Sequence, residues 1–545
     1  MARSRSLAGL PLALQCVLAL GAGLAQAASL AWPGTGQSLW WLQMLSMMVL
    51  AALLLQAQRH AAPFRRGALL GGVFAAAWLA GTFWWLFISM HTYGGLAAPL
   101  AVAAVLGLAA FLGSYYAVVL GLFCRMVPVS TAFSAIFFGA FWLLAELARA
   151  TWWTGFPWGA IGYAHVDGPL GVLARSLGVY GVGAVAAALA MLLVQSRPAH
   201  LRSARAWALA VGLVAVWGAA AVQRHCAVEL CHTPAAAPAA APLTLELLQG
   251  NIPQDEKFQP GSGVPLALKW YADTLKAATA DLVVAPETAI PLLPQQLIPG
   301  YLEGIAGHFA QSGRAVLLGI PMGDEAQGYT NSVLGMAPEK DDAASAYRYD
   351  KHHLVPFGEF IPPFFRWFTA MMNIPLGDFN RGAVGQPSFE WKGQRIAPNI
   401  CYEDLFGEEI GARFIDPAQA PTVLLNFSNI GWFGDSLAID QHLHISRMRA
   451  LEFERPMVRA TNTGATAVID HRGVVTYALQ RHTRGVLRAE VHGRGVDAAG
   501  GWAITPYAWW VSRWGLWPLW AVGVLALAGA LFATSAARGR RWRGD

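Results

Sequence analysis

The chain has 545 residues, of which 55% are hydrophobic and only 13% are charged, and its mean hydropathy is +0.41. This composition excludes a disordered chain and an ordinary soluble enzyme. The net charge of +6 comes mostly from arginines that flank apolar runs, which is typical of membrane proteins, so we expect no nucleic-acid partner. Only two acids and no lysine precede Ala221, which predicts a membrane region followed by a water-exposed region.

The first region predicts a polytopic α-helical membrane domain. A helix that crosses a bilayer needs about 20 mainly apolar residues. Eight windows meet this requirement, at 7–29, 38–57, 67–90, 96–123, 131–148, 177–195, 206–222 and 515–536. Seven spans therefore form a predicted membrane domain over residues 1–222. The eighth span and a basic cytoplasmic tail occupy 497–545.

The arginines predict the orientation of these spans. With a cytoplasmic N-terminus, the short outer segments hold only Arg149 and Arg175. The inner segments hold Arg3, Arg5, Arg59, Arg65, Arg66, Arg125, Arg197, Arg202, Arg205, Arg538, Arg540, Arg541 and Arg543. This positive-inside bias places the region between the seventh and eighth spans outside the cytoplasm. The first run ends in Ala25-Gln26-Ala27, a pattern that resembles a signal-peptidase site, and cleavage there stays open.

The five cysteines are too few for a disulfide scaffold. Cys16 and Cys124 fall in predicted spans and are simply interpreted as apolar filler. Cys226 and Cys231 follow the seventh span, where a local disulfide is one of two open alternatives. Cys401 is left unpaired in the outer region, so it is either a functional thiol or a buried inert one.

The outer region predicts a linker over 223–242 and an α/β layered domain over 243–496. Residues 233–242 read TPAAAPAAAP, a proline-punctuated, semi-rigid sequence. After them, short apolar runs alternate with helical windows, as expected of buried strands. The runs are LTLELLQGN, DLVVAPE, AVLLGIP, RIAPNICYED, PTVLLNFSN and TAVIDHRG. The His442-x-His444 pair lacks acids or cysteines at ligand spacing, so no metal site is expected there.

Three predicted strands end in a reactive side chain: Glu287, Lys351 and Cys401. Strand ends of an α/β sheet commonly carry sites, because the sheet holds the following residues rigidly. A carboxylate can take the proton of a thiol, and an ammonium can stabilise the oxyanion formed when the sulfur attacks a carbonyl. The spacing alone is also compatible with a chance arrangement.

The motifs around these residues resemble a known family. APETAIP at Glu287, YDKHHLVPFGEFIP at Lys351 and NICYEDLFG at Cys401 are similar to the three catalytic motifs of the nitrilase superfamily. The wording of the last two motifs and TGFPWGAIGY at 154–163 resembles the apolipoprotein N-acyltransferase family, and this resemblance runs from the first span to the last. It implies a nitrilase-like α-β-β-α sandwich joined to the membrane domain.

The resemblance also implies a function. An enzyme of the bacterial inner membrane, with its catalytic domain in the periplasm, would move the sn-1 acyl chain of a phospholipid to an apolipoprotein. The expected donor is phosphatidylethanolamine, and the acceptor is the α-amine of an N-terminal S-diacylglyceryl-cysteine. The reaction is expected to pass through a cysteine thioester and to use no cofactor or metal. The enzyme is expected to be a monomer.

Carried over to this sequence, the resemblance makes Glu287 the general base, Lys351 the oxyanion stabiliser and Cys401 the nucleophile. It implies supporting roles for three further residues, Glu359, Tyr402 and Glu403. The alternatives without a functional role are a strand-end aromatic residue for Tyr402 and an ordinary surface acid for Glu403. The sequence departs from the family at Phe258, where tryptophan is common, so an indole N–H is lost but an aromatic anchor is kept.

An aromatic and methionine-rich segment separates the lysine and cysteine motifs. Residues 361–379 read IPPFFRWFTAMMNIPLGDF, and we expect Trp367 and Phe368 to bind acyl chain as part of a wall or lid. The alternative is that the segment packs in the domain core. Residues 291–301 are a weaker lid candidate. Arg149 and the aromatics of 152–163 are expected near a lipid entrance, or else in an interfacial belt.

Two other functions remain open at this point. A membrane-tethered nitrilase-type amidase would use the same three residues with water as the acyl acceptor. A polytopic scaffold or transporter with a degenerate outer domain would need none of them. The intact motifs and the scarcity of ionisable groups within the spans favour an enzyme over a transporter.

Overall fold

A computed structural model describes residues 10–127, 131–196, 241–338, 346–362, 365, 367, 378–494 and 504–542. These residues divide into two compact units. The membrane unit holds the described residues up to Trp84, from Pro99 to 196, and from Leu516 onward. The catalytic unit holds Trp85–Ala98 and the described residues from 241 to Gly515.

Twelve α-helices occur among the described residues. They are α1 (Leu12–Leu30), α2 (Trp40–Ala57), α3 (Pro63–Phe83), α4 (Ala98–Met126), α5 (Thr131–Thr151), α6 (Ala174–Gln195), α7 (Gly263–Ala277), α8 (Tyr301–Ser312), α9 (Gly407–Gly411), α10 (Ala438–Phe453), α11 (Pro506–Trp514) and α12 (Trp517–Trp542).

The membrane unit is helical, as predicted. Within the described residues, seven segments are long and apolar enough to cross a membrane. They are Leu12–Leu30, Trp40–Ala57, Pro63–Phe83, Ala98–Met126, Phe133–Thr154, Pro169–Gln195 and Trp517–Thr534. The predicted span at 206–222, the linker prolines and the Cys226/Cys231 pair lie outside the described residues.

The third span ends earlier than the sequence indicates. The apolar pattern extends to residue 90, but α3 stops at Phe83 and a π-helix occupies Ile88–Tyr93. The indole N–H of Trp85 donates to Gln441 over 3.0 Å, and its ring lies 4.3 Å from that of Phe433. These contacts explain why Trp85–Ala98 belongs to the catalytic unit, although the sequence predicts a third span that extends to residue 90 and a fourth that begins at 96.

Within the residues that the structure describes, the catalytic unit has twelve strands. They are β1 (Leu243–Gln249), β2 (Leu282–Ala285), β3 (Ala315–Asp324), β4 (Gly328–Met336), β5 (Tyr347–Asp350), β6 (Phe389–Trp391), β7 (Gln394–Ile400), β8 (Val423–Ser428), β9 (Met457–Thr461), β10 (Ala467–Ile469), β11 (Val475–Ala478) and β12 (Gly485–Val491).

The strands form two six-stranded mixed sheets. The first has the order β12-β1-β2-β3-β4-β5, and the second has the order β11-β10-β9-β8-β7-β6. The central pairs β1–β2, β2–β3, β7–β8 and β8–β9 are parallel, and the outer pairs are antiparallel. Such parallel strands are covered on both faces, which explains why β2 is apolar along its whole length.

Three layers of buried side chains hold this unit together. Between the sheets, Val284 and Leu317 pack with Phe427 and other residues of the second sheet. Helices α7 and α8 cover the outer face of the first sheet, and α10 and α11 cover the outer face of the second. This is the α-β-β-α sandwich that the resemblance implied, so the expected fold class is confirmed.

Candidate active site

The ends of three strands bring the reactive side chains together. Glu287 follows β2 through a single proline, Lys351 follows β5 directly, and Cys401 follows β7 directly. The first two come from one sheet and Cys401 from the other. The backbone at Cys401 has a φ of 52° and opens a short 3-10 turn, Cys401–Leu405. A positive φ is unusual for a residue with a side chain and marks a strained position.

Two carboxylates share the lysine. Nζ of Lys351 lies 2.8 Å from Oε1 of Glu359 and 3.4 Å from Oε1 of Glu287. All three side chains are buried. A buried ammonium between two carboxylates is stable only when their charges and hydrogen bonds compensate for lost hydration. Glu359 is thus placed beside Lys351, where the resemblance expects a supporting residue.

Asn331 on β4 joins the two carboxylates, and the sequence gave it no role. Its side-chain NH₂ donates to Glu287 over 2.8 Å and to Glu359 over 2.9 Å, and its backbone carbonyl accepts from the Lys351 backbone N–H. The sequence signal is weak, because Asn331 stands in the polar run Thr330-Asn331-Ser332 of β4 and nothing local separates it from its neighbours. Asn331 fixes both carboxylates relative to the lysine.

The remaining oxygen of each carboxylate accepts a backbone N–H. Oε2 of Glu287 accepts from Asn429 over 2.8 Å, and Oε2 of Glu359 accepts from Val355 over 2.8 Å. Gly319 on β3 lets the Glu287 turn approach the sheet, since a Cβ there would lie 2.7 Å from the Glu287 Cα. The base candidate is therefore held on both oxygens and along its backbone.

Glu403 is buried rather than an ordinary surface acid, with only 3% of its surface exposed. We call its carboxylate the bracket, because it accepts hydrogen bonds from two separate segments of the chain. One oxygen accepts from the Tyr349 hydroxyl over 2.8 Å and from the backbone N–H of Ile400. The other accepts from the backbone N–H of His352 over 2.7 Å. The carboxylate therefore ties the strand end before the nucleophile to the loop after Lys351.

Tyr402 is buried beside that bracket. Its ring lies 5.6 Å from the ring of His353 and 5.3 Å from the ring of Phe406. The His353 and Phe406 rings are themselves stacked. Tyr402 therefore packs the turn that follows Cys401 against the loop that follows Lys351.

Electrostatics keep the thiol protonated and the lysine charged. Burial and the nearby Glu287 carboxylate raise the pKa of Cys401 to about 12, and the charge of Lys351 only partly opposes them. Burial alone would lower the pKa of Lys351, but Glu359, Glu287 and Cys401 together raise it well above its usual value. A thiol in this state needs a base at the moment of attack.

Lys257 is a second buried lysine at the site, and the sequence assigned it no function. Its Nζ donates to the backbone carbonyl of Glu287 over 3.1 Å, and its ammonium lies 5.9 Å from the centre of the Phe258 ring. Burial lowers the pKa of Lys257 to about 7, although Glu287 and Cys401 act in the opposite direction. Phe258 itself is partly buried.

The candidate lid is only partly within the described residues. Phe365 is 43% exposed and Trp367 is 64% exposed, so these two side chains do not pack in the domain core. The Phe365 ring contacts Phe357 at 5.4 Å. Phe368 and the segment 369–377 lie outside the described residues.

In the membrane unit, the Arg149 side chain is fully buried. Its guanidinium donates to the backbone carbonyls of Phe156 and Trp158, both over 2.7 Å, and to the Tyr116 hydroxyl. Trp152 and Trp153 are exposed. Arg149 therefore holds the following aromatic loop in place.

No cluster of three or more His, Cys, Asp or Glu side chains that could bind a metal occurs in the described part of the chain. The His442-x-His444 pair lies on α10. Both side chains are buried, and His442 contacts the turn after Cys401.

Comparison with known proteins gives matches over most of the chain. Residues 22–192 match the model of the apolipoprotein N-acyltransferase N-terminal domain, and residues 244–499 match the carbon-nitrogen hydrolase model. An apolipoprotein N-acyltransferase of Verminephrobacter eiseniae is 70% identical over 93% of this chain and 94% of the relative. One of Ralstonia nicotianae is 46% identical over 90% of this chain and 89% of the relative.

A solved structure also matches the catalytic unit. It is a CN-hydrolase superfamily protein of Xanthomonas campestris, 21% identical, and it covers 46% of this chain and 91% of its own, with a TM-score of 0.35. The family models and the long relatives, rather than this partial match, carry the family assignment.

Proposed function

The chain belongs to the apolipoprotein N-acyltransferase family, and from this premise we propose that it transfers an sn-1 acyl chain through a thioester on Cys401. It is a multi-pass membrane acyltransferase with a phospholipid donor and an apolipoprotein acceptor. The proposed donor is phosphatidylethanolamine, and the proposed acceptor group is the α-amine of S-diacylglyceryl-cysteine. The arginine bias supports an inner-membrane protein whose catalytic unit lies in the periplasm.

In the first half-reaction, Glu287 takes the thiol proton as the sulfur of Cys401 attacks the phospholipid ester carbonyl. The oxyanion forms near the Lys351 ammonium, which the two carboxylates keep charged. The C–O bond to the glycerol then breaks. The departing alkoxide takes the proton from Glu287, and lysophospholipid leaves a thioester on the enzyme.

In the second half-reaction, the lipoprotein amine attacks the thioester carbonyl. Glu287 accepts a proton from the amine, the C–S bond breaks, and the thiolate of Cys401 is reprotonated. The single observation that carries this proposal is the buried arrangement of Glu287, Lys351 and Glu359 beside a thiol that needs a base.

Intact mass measurement tests the thioester. We expect the protein mixed with phospholipid vesicles to gain an acyl-sized adduct that neutral hydroxylamine removes, and Cys401→Ala to gain none. Addition of a diacylated lipopeptide should convert the adduct into N-acyl peptide. An adduct that persists on Cys401→Ala would contradict the proposal, and free fatty acid as the only product would favour the amidase.

The exposed rings of Phe365 and Trp367 support an acyl-chain contact at the candidate lid. The proposed contact includes Phe368, which lies outside the described residues. We expect Trp367→Ser to raise the vesicle concentration needed for half-maximal acylation, because an apolar contact with the chain is lost. Tyr477→Ser, at an exposed ring on β11, is the matched control. Identical acylation by both variants would remove Trp367 from the proposal.

A further inference from the structure

A buried polar cluster lies behind the nucleophile and takes no part in the mechanism above. It contains Asp404 from the turn after Cys401, His442 and Ser446 from α10, and Arg459 from β9. Each of these side chains is at most 1% exposed. Arg459 donates to Asp404 over 3.2 Å, and Ser446 contacts both. So many polar groups in a core are costly unless they satisfy one another.

The cluster fixes the tautomer of His442. Nδ1 of the ring lies 3.0 Å from the guanidinium of Arg459, which can only donate, so Nδ1 accepts. Nε2 lies 2.9 Å from Oδ1 of Asp404 and 3.2 Å from the backbone carbonyl of Cys401, which are both acceptors. Nε2 therefore carries the proton. This one N–H is shared between the Asp404 carboxylate, which is nearer, and the backbone carbonyl of Cys401. Arg459 and Asp404 thus hold the ring so that its N–H also reaches the main chain at Cys401.

A second donor reaches the same carbonyl. The amide of Asn426 on β8 donates to the Cys401 carbonyl over 3.1 Å. Its neighbours Leu425 and Phe427 face the other sheet, so Asn426 faces the outer side, which α10 covers. Both donors therefore hold the Cys401 carbonyl towards the outer face of the second sheet.

This orientation determines where the next N–H points. The peptide bond between Cys401 and Tyr402 is trans, so its C=O and N–H point in opposite directions. With the carbonyl held towards α10, the Tyr402 N–H points towards the first sheet, which carries Lys351. The positive φ of Cys401 needs such support, because the conformation is not one that the backbone prefers.

We propose that His442, oriented by Asp404 and Arg459, is a positioning residue that directs the Tyr402 N–H at the oxyanion opposite Lys351. The inference rests on the proposed nucleophilic role of Cys401. In this role His442 acts through the main chain at Cys401, not by taking part in the bond changes at the sulfur or the substrate. Its effect is confined to steps in which a carbonyl oxygen gains negative charge.

Two amide substitutions test which of the two ring nitrogens of His442 is needed. In His442→Gln the amide NH₂ reaches the place of Nε2 and still donates to the Cys401 carbonyl. In His442→Asn the shorter amide reaches only the place of Nδ1, so that donor is lost. The control is His444→Asn on the same helix, since the His444 side chain is also buried and its Nδ1 lies near Arg447 instead.

The readout compares two reactions of one sulfur. Thioester formation from phospholipid passes through an oxyanion, whereas alkylation by iodoacetamide does not. We expect His442→Asn to slow thioester formation by about 10- to 100-fold, less than or comparable to complete loss of an oxyanion donor. Alkylation of Cys401 should keep its wild-type rate. His442→Gln should recover most of the acylation rate, and His444→Asn should change neither.

Several results would overturn the proposal: equal loss of acylation and alkylation in His442→Asn, equal behaviour of the Asn and Gln variants, or unchanged acylation in both. If His442→Asn does not fold, Asn426→Ala removes the other donor to the same carbonyl and should produce the same selective loss. A different result would show that Cys401 is not the nucleophile at all. In that case, wild-type protein alkylated at Cys401 would still transfer acyl chains.

Discussion

The two sheets of the catalytic unit contribute to the site in different ways. The first supplies Glu287 and Lys351, whose charged side chains pair with each other and, for Lys351, with Glu359. The second supplies Cys401, whose backbone carbonyl accepts from Asn426 and lies 3.2 Å from Nε2 of His442. In the proposed mechanism, the first side therefore sets the charge and the second sets the direction of attack. Substitutions on the two sides should fail in distinguishable ways.

The largest expected effect is on the charged side. Lys351→Met removes the ammonium and leaves Glu287 and Glu359 facing each other in a buried site. We expect the acylation rate to fall by about 100- to 1,000-fold. Stability should fall by about 3–5 kcal/mol, since an uncompensated buried charge remains. Single-turnover acylation and urea unfolding in detergent measure the two effects.

The control for this variant is Lys269→Met. Lys269 pairs with Asp273 on the exposed face of α7, where ion pairs contribute little. Acylation by Lys269→Met at the wild-type rate is the expected result. Acylation by Lys351→Met at the wild-type rate would show that the reaction does not need the charge of Lys351.

A smaller effect is expected at the bracket that joins the two sides. In the wild type, the Glu403 carboxylate accepts hydrogen bonds from backbone N–H groups and from the Tyr349 hydroxyl. Glu403→Gln places an NH₂ donor against some of these donors and should destabilise the protein by about 3 kcal/mol. Tyr349→Phe removes one of those donors and should cost about 1.5 kcal/mol. Urea unfolding compares them. Equal stability of Glu403→Gln and wild type would disprove the bracket.

An effect of a different kind, a pH dependence of stability, is expected at Lys257. Burial lowers the pKa of Lys257 to about 7, whereas an unfolded lysine titrates near about 10.4. Between these values the unfolded state binds more protons, so this group makes stability rise with pH, and its penalty is complete below pH 7. Lys257→Met should therefore gain most over wild type at pH 6 and least near pH 10.

Melting temperatures of wild type and Lys257→Met between pH 6 and pH 9 measure this difference. The exposed Lys276 offers the control variant Lys276→Met, whose melting curve should run parallel to that of wild type at every pH. A constant offset between Lys257→Met and wild type would mean that the lysine does not change its charge in this range.

Much of this arrangement could be predicted from the sequence. Apolar runs that end at Glu287, Lys351 and Cys401 predicted strand ends, and the structure has strands that end there. The helical spans within the described residues also follow from hydropathy alone. The end of α3 does not, because the aromatic side chains after Phe83 are apolar enough for a membrane but pack on the catalytic unit instead.

The resemblance marked Glu359, Tyr402 and Glu403, but Asn331 and His442 could not be predicted, because their roles depend on contacts between distant parts of the chain. Asn331 reaches a carboxylate 44 positions away, and His442 reaches a carbonyl 41 positions away. The one local signal was polarity where burial is expected, as in the helix α10, whose polar side chains are nearly all buried. Such a signal marks a network but does not identify its partners.

The high pKa of the Cys401 thiol has a consequence for its resistance to oxidation. Peroxides and disulfides react with thiolates, and a thiol with a pKa of about 12 presents almost none at neutral pH. In the proposed mechanism, the sulfur becomes a strong nucleophile only while Glu287 removes its proton. The same burial that makes the thiol depend on a base therefore also protects it from oxidants between turnovers.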